Sequence, residues 1–242
     1  MKKIMFNDKY SLTQAVLDGR KTQTRRVIKC PREFKGEWVA GFNIHIRQSD
    51  KKVVGWPCMY DADEREFDGG EILPRYKVGE IVAVAQSYKN AGFRPDKVLY
   101  RSIPEIDGYV KETACCQKGW NNKMFVAPNL MPHQIRITNV RIQRLQDISD
   151  EDCLAEGVVK IVHSIPTKAP QYITGYYPSM SLKEAADKLG WGRAYSTPQY
   201  AYADLIDKVS GKGTWESNPY VFVYEFELVD YIKNIEHENH IS

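Results

Sequence analysis

Gly19-Arg20-Lys21-Thr22-Gln23-Thr24-Arg25-Arg26 holds four cations and two hydroxyls in eight residues with no acid, and Lys29 and Arg32 extend the positive run. A short helical pattern precedes it. Ser11 reads as an N-cap with Gln14 three residues on, Leu12, Ala15 and Val16 form an apolar stripe, and Gly19 sits where a helix stops. Beyond Gly19, the residues Lys21, Gln23 and Arg25 alternate with Thr22, Thr24 and Arg26, the beginning of an extended segment. A helix that ends in Gly and turns into a basic, hydroxyl-rich strand sets cations beside hydroxyls. That suits an anionic or highly polar ligand such as a nucleotide. The same cluster equally fits a solvated edge strand whose cations guard against aggregation.

Working outward, Ile4, Met5 and Phe6 supply a short first strand. Residues 31–76 are rich in Gly, Pro and charge; pieces such as Phe42–Ile46 and Val53–Trp56 favour hairpins over helices. His45 there reads as a packed or surface residue. Val78-Gly79-Glu80 turns into Ile81–Tyr88, whose first five residues are all apolar, the pattern of a strand buried on both faces. Gln86 either terminates that strand or offers its amide to a base edge. Val98–Arg101 is a further short strand, and residues 102–134 are again irregular.

The clearest alternation is Ile135–Arg144, where the apolar positions slip from odd to even near Asn139, as a β-bulge would produce. Residues 148–157 form a compact helix: Ser149 and Asp152 cap it, Cys153 and Leu154 face inward, and Gly157 stops it. Glu156, its last residue, is an acid at the end where the helix dipole favours cations. It is either a solvated surface carboxylate or one with another use. Ser181 and Glu184 cap a helix over 182–189, and Thr197-Pro198 opens another with the stripe Tyr202, Leu205, Ile206 and Val209. Gly211-Lys212-Gly213-Thr214-Trp215 reads as a flexible turn, Tyr220–Leu228 as a strong strand, and the polar tail from Asp230 as frayed.

A chain of 242 residues can bury a core as one large domain, and 43% hydrophobic with 27% charged residues is ordinary for a globular protein. A net charge of +3 is too small for wholesale coating by nucleic acid, so any positive field is local. The five cysteines, Cys30, Cys58, Cys115, Cys116 and Cys153, follow no C-x-x-C spacing and no secretory signal precedes them. Reduced thiols in a cytoplasm are expected, without a metal site. No apolar run approaches the ~18 residues of a membrane span.

Four blocks, in order, resemble the ASCH domain family, a branch of the PUA-like β-barrel folds, in the longer form common in phages and integrated elements. They are the helix with Gly19–Arg26; Val78-Gly79-Glu80 with its strand; Met131-Pro132 with Arg136-Ile137-Thr138 and Leu145–Ser149; and Lys212–Trp215 with Asn218-Pro219 and the final strand. The resemblance implies an α+β fold, a PUA-like β-barrel with short flanking helices and irregular insertions. One domain would span residues 1–229, with insertions at about 31–76 and 102–122 and a polar tail over 230–242. It implies a cytoplasmic protein that binds RNA or a modified nucleoside or nucleobase in a basic cleft, without cofactor or membrane.

Small bacterial relatives with a Gly-Arg-Lys-Thr-x-Thr-x-Arg segment are amidohydrolases that remove acetyl from N4-acetylcytidine. Carried over by position, the resemblance puts the catalytic lysine on Lys21, the nucleophilic threonine on Thr24 and the acid on Glu156. A threonine hydroxyl needs a base, and a lysine whose pKa is lowered by burial or by neighbours such as Arg20, Arg25 and Arg26 can be one. An acid placed opposite can protonate the leaving amine. Arg20, Arg25, Arg26, Gln86 and Trp215 make up the expected ligand-binding set, Arg26 holding a carbonyl or phosphate oxygen. Trp215, like Trp56, Trp120, Trp191 and Tyr88, is either a stacking surface or core. Many longer relatives carry Arg-Glu where this chain has Ala85-Gln86, so a charged pair has become neutral. Two alternatives stand beside hydrolysis: an RNA-binding module without chemistry, and a phage or mobile-element accessory protein acting on a host protein.

Overall fold

A computed structural model describes residues 1–93, 118–165, 171–178 and 194–229. The expected strand at Val98–Arg101, the helix at 182–189, Cys115, Cys116, Trp191 and the tail from Asp230 lie outside the described residues.

The apolar run after Gly79 becomes β8 (Ile81–Val84), which lies inside the principal sheet because both its faces are apolar. Its parallel neighbour is β1 (Lys2–Ile4) and its antiparallel neighbour is β9 (Gln134–Arg144). The sheet continues through β12 (Tyr220–Val229) to β2 (Gln23–Val27), in the order β1-β8-β9-β12-β2. Glu225 faces Asn139 and Phe226 faces Ile137, so Thr138 is the extra residue of a bulge. That bulge is why burial passes from Ile135 and Ile137 to Ile142.

The expected α+β class holds: sheets predominate, with few helices. Among the described residues no pairing joins the edge strands β1 and β2, so this sheet is open and does not close into a barrel. Residues 31–76 do form small antiparallel units, β3 (Glu33–Phe34) with β4 (Glu37–Trp38), and β5 (Gly41–Asn43) with β6 (Cys58–Tyr60) and β7 (Glu66–Glu71). Val53–Trp56 is not a strand; Val53 makes only a single bridge to Ile46. A separate hairpin pairs β10 (Val159–Ile165) with β11 (Gln171–Tyr177).

Helix α1 (Leu12–Leu17) buries Leu12, Ala15 and Val16 as its stripe requires, but its start differs from the sequence reading. Ser11 sits at φ 55° and its side chain makes no cap bond, because a 3-10 turn over Asp8–Tyr10 ends on it. Gln14 instead donates to Asp18 Oδ1 at 2.7 Å. Helix α2 (Asp150–Ala155) is capped by Ser149, whose Oγ accepts from the backbone N–H of Asp152. Helix α3 (Pro198–Ser210) begins behind Thr197 and buries Tyr202, Leu205 and Ile206.

The segment after Gly211 is not a flexible turn. It forms α4 (Thr214–Ser217), and Asp207 of α3 accepts from Gly213 N–H at 3.0 Å and Trp215 N–H at 2.8 Å. Those backbone donors hold the Asp207 carboxyl below the usual carboxylate range. Asp207→Ala is therefore expected to lower the urea midpoint, by about 1–2 kcal/mol of stability for two charge-assisted bonds. An unchanged midpoint would show that α4 stands without this anchor.

Candidate functional site

The site begins where α1 ends. Gly19 takes φ 70°, a conformation that favours glycine, and the backbone N–H groups of Arg20 and Lys21 both donate to Ala15 O. The chain then crosses to the end of α2, where Thr22 N–H donates to Ala155 O, an otherwise unpaired helix-terminal carbonyl. It continues as β2, with Thr24 opposite Tyr224, Arg25 opposite Val223 and Arg26 opposite Phe222. Two-residue periodicity aims the odd positions one way. Lys21, Gln23 and Arg25 all bond to carboxylates of α2 or its C-cap.

Lys21 is 3% exposed and Glu156 4%, although nothing in either residue type favours burial. Lys21 Nζ lies 2.5 Å from Glu156 Oε2 and 2.8 Å from the backbone oxygen of the same residue. The second oxygen, Glu156 Oε1, accepts from Arg25 at 3.1 Å. A carboxylate at a helix C-terminus is unfavourable by itself, and here two cations reverse that. Asp152, one turn earlier on the same face, accepts from Gln23 at 2.9 Å, from Arg25 at 2.6 Å and from Arg141 at 2.6 Å. Arg141 also pairs with Glu225. The reading of this strand as a solvated basic edge is thus overturned: β2 is an edge strand, but Lys21, Thr24 and Arg25 are buried.

Burial strips water from the Lys21 ammonium and sets its pKa below the ordinary lysine value, with Glu156 pulling it back up and Arg26 and Arg25 pushing it down. Burial also opposes charge on Arg25, but Glu156, Tyr202 and Asp152 outweigh it and its pKa is raised. Asp152 is held low against its own desolvation by Gln23, Arg25 and Arg141. Cys153, between the two acids, is pushed up to about 12 by burial and is an inert thiol.

Lys21, Thr24, Arg26 and Glu156 line one cavity of about 850 Å³, which also reaches Tyr202 and Tyr224. Thr24 is 5% exposed, and no hydrogen bond joins its Oγ1 to Lys21 Nζ in this state. Arg26 is exposed and donates to Met5 O at 2.8 Å. Of the residues expected to bind ligand, Arg25 and Arg26 meet at this cavity and three do not. Arg20 turns back to pair with Asp18 at 3.0 Å. Trp215 packs edge-on to Tyr202 with ring centres 6.2 Å apart, against the hydrophobic core. Gln86 is buried with its Oε1 unpaired and lines a different cavity of about 330 Å³, beside Thr13 and Gln14. Tyr88 and Trp120 belong to a second apolar cluster with Met131, and Trp56 packs against the principal core.

Sequence reasoning missed Asp152 and Tyr202 as parts of the site. The spacing of Asp152 and Glu156, four residues apart on a helix, was the available signal for two acids on one face. Among the described residues no group of three His, Cys, Asp or Glu side chains forms a metal-binding cluster, and no helix is long and apolar enough to cross a membrane.

No protein-family model matches the chain, and neither a curated protein nor a solved structure matches it.

Removing one charge of a buried pair leaves the other uncompensated, at a cost of about 3–5 kcal/mol. Glu156→Gln should therefore destabilise the protein strongly near about pH 7. The sign with pH follows from Lys21. Between its lowered folded value and the ordinary lysine value the unfolded chain binds more protons, so raising the pH stabilises the fold there. Without Glu156 the folded value falls further and that window widens. Urea unfolding should show the deficit of Glu156→Gln shrinking from neutral to alkaline pH; a pH-independent deficit contradicts the buried ammonium.

Proposed function

We propose that the chain is an ASCH-type protein of the PUA-like class whose cavity accepts RNA or a modified nucleoside, and that it hydrolyses an N-acyl amide on a cytosine-type base. The observation that carries this reading is the meeting of Lys21 and Glu156, 135 residues apart in sequence, at 2.5 Å beside the Thr24 wall of one cavity. A cavity of about 850 Å³ is within the range of small-ligand sites.

The chemistry uses the proton shared by the pair. Shifting it from Lys21 to Glu156 gives an uncharged amine and a carboxylic acid, and burial eases the step on the amine side by lowering the Lys21 pKa. The amine takes the Thr24 Oγ1 proton as that oxygen bonds to the acyl carbon. As the acyl C–N bond breaks, Glu156 gives its proton to the leaving nitrogen, releasing the free amine and leaving acyl-Thr24 with the ionic pair. Glu156 then takes a proton from water as its oxygen attacks the ester. Lys21 returns a proton to Thr24, the acid departs, and the uncharged pair is restored.

A second reading, RNA binding without chemistry, is favoured by a separate observation. Besides Lys21 and Arg25, which are paired with acids of α2 and its C-cap, Lys3, Arg26, Lys29 and Arg75 line the cavity, and among the described lining residues Glu156 is the one carboxylate. Such an excess of cations attracts phosphate in a salt-sensitive manner.

Purified protein incubated with N4-acetylcytidine should release cytidine. Thr24→Ala should lower the rate at least about a hundredfold while leaving the melting temperature nearly unchanged. Absence of cytidine from the wild-type protein removes the hydrolase reading. If RNA is then retained with an affinity that falls steeply with salt and with Arg26→Ala, the binding reading takes its place.

A further inference from the structure

Two side chains that line the principal cavity each carry a buried donor that has no acceptor among the described residues. Tyr202 is 1% exposed and Arg25 5%, and both line the cavity alongside Glu156. Among the described residues neither the Tyr202 hydroxyl nor the Arg25 Nε–H, both buried, has a hydrogen-bond partner. Buried polar groups are seldom left in this condition, and those that are call for a ligand, a water or a strained role. The two side chains are neighbours, with the Arg25 guanidinium carbon 6.0 Å from the centre of the Tyr202 ring.

Their positions are fixed by everything except the orphaned atoms. Arg25 spends its terminal nitrogens on Glu156, Asp152 and Gln23, leaving Nε–H free. Tyr202 is held from α3, with Trp215 edge-on to its ring. Burial first, then the nearby Glu156 charge, push the phenol pKa well above its ordinary value, so the hydroxyl keeps its proton. The unmet demand is thus for an acceptor.

We propose that Arg25 Nε–H and Tyr202 O–H form the corner that receives the acyl oxygen of the ligand, the carbonyl oxygen of the amide and later a carboxylate oxygen of the released acid. The identity of that oxygen rests on the hydrolase reading. As Thr24 Oγ1 bonds to the acyl carbon, the carbonyl π pair moves onto this oxygen, and it returns when the C–N bond breaks. Preformed donors aimed at the oxygen stabilise the charge while it exists. The corner is not Arg26, which is exposed and bound to Met5 O.

Acetate, the acid released from an acetyl amide, is a probe that needs no turnover. Titrated into the full chain and followed by calorimetry, it should bind the wild-type protein, and Tyr202→Phe should weaken it about tenfold or more, as loss of a hydrogen bond to a charged group does. Circular dichroism of Tyr202→Phe should show native secondary structure and cooperative melting, since the ring that packs on Trp215 remains. With N4-acetylcytidine, the same variant should lose kcat about a hundredfold with KM little changed. Acetate binding lost in Tyr202→Phe without any wild-type turnover would keep the corner and drop the hydrolase. Turnover with kcat unaltered in Tyr202→Phe would keep the hydrolase and overturn the corner, as would acetate that binds both proteins equally or neither.

Discussion

A lysine and a glutamate, both removed from water, face each other where α1 hands the chain to β2 and where α2 ends. Neither would be stable there alone. Desolvating a charge costs several kcal/mol, and mutual attraction repays this only with good geometry and further hydrogen bonds. Both conditions are met. Lys21 donates to the carboxylate and to the terminal carbonyl of the same residue, and Arg25 satisfies the other carboxylate oxygen. The sheet edge and the helix end are consequently held in one relative position, reinforced by Thr22 N–H on Ala155 O and Gln23 on Asp152.

A buried pair is weak evidence for stability, since apolar residues of similar size often do as well. This pair lies beside a large cavity, with a hydroxyl on the wall, and the proposed chemistry builds on that placement. Asp152 serves a related end on the same helix face. It pairs with Arg25 and Arg141, and so offsets the charge of Arg25, one of the two cations that push the Lys21 pKa down.

Much of this was legible in the chain where local rules act alone. The run Ile81–Val84 is a central strand because its two faces are apolar, and the slip near Asn139 is a bulge because side-chain parity has no other cause there. Ser149 and Thr197 cap their helices because each stands outside the first turn with its oxygen free. Ser11 failed as a cap since the preceding turn over Asp8–Tyr10 had already fixed its backbone in a left-handed conformation. The segment after Gly211 became helical through Asp207 in a different helix, a contact that local composition does not carry. Trp215 and Gln86 looked available for a ligand because residue type alone does not say which way a side chain turns. One lies against Tyr202 and the other over a separate cavity.

The account rests most heavily on the coupling of two residues distant in sequence, and a double-mutant cycle measures that directly. Lys21→Met, Glu156→Leu and the double variant would be compared by urea unfolding at neutral pH. The account predicts that each single change destabilises the protein strongly, and that the double variant is more stable than the Glu156→Leu variant, since Lys21 is then gone and Arg25, which loses Glu156 in both, keeps Asp152. Single effects that are small and simply add in the double variant would contradict it.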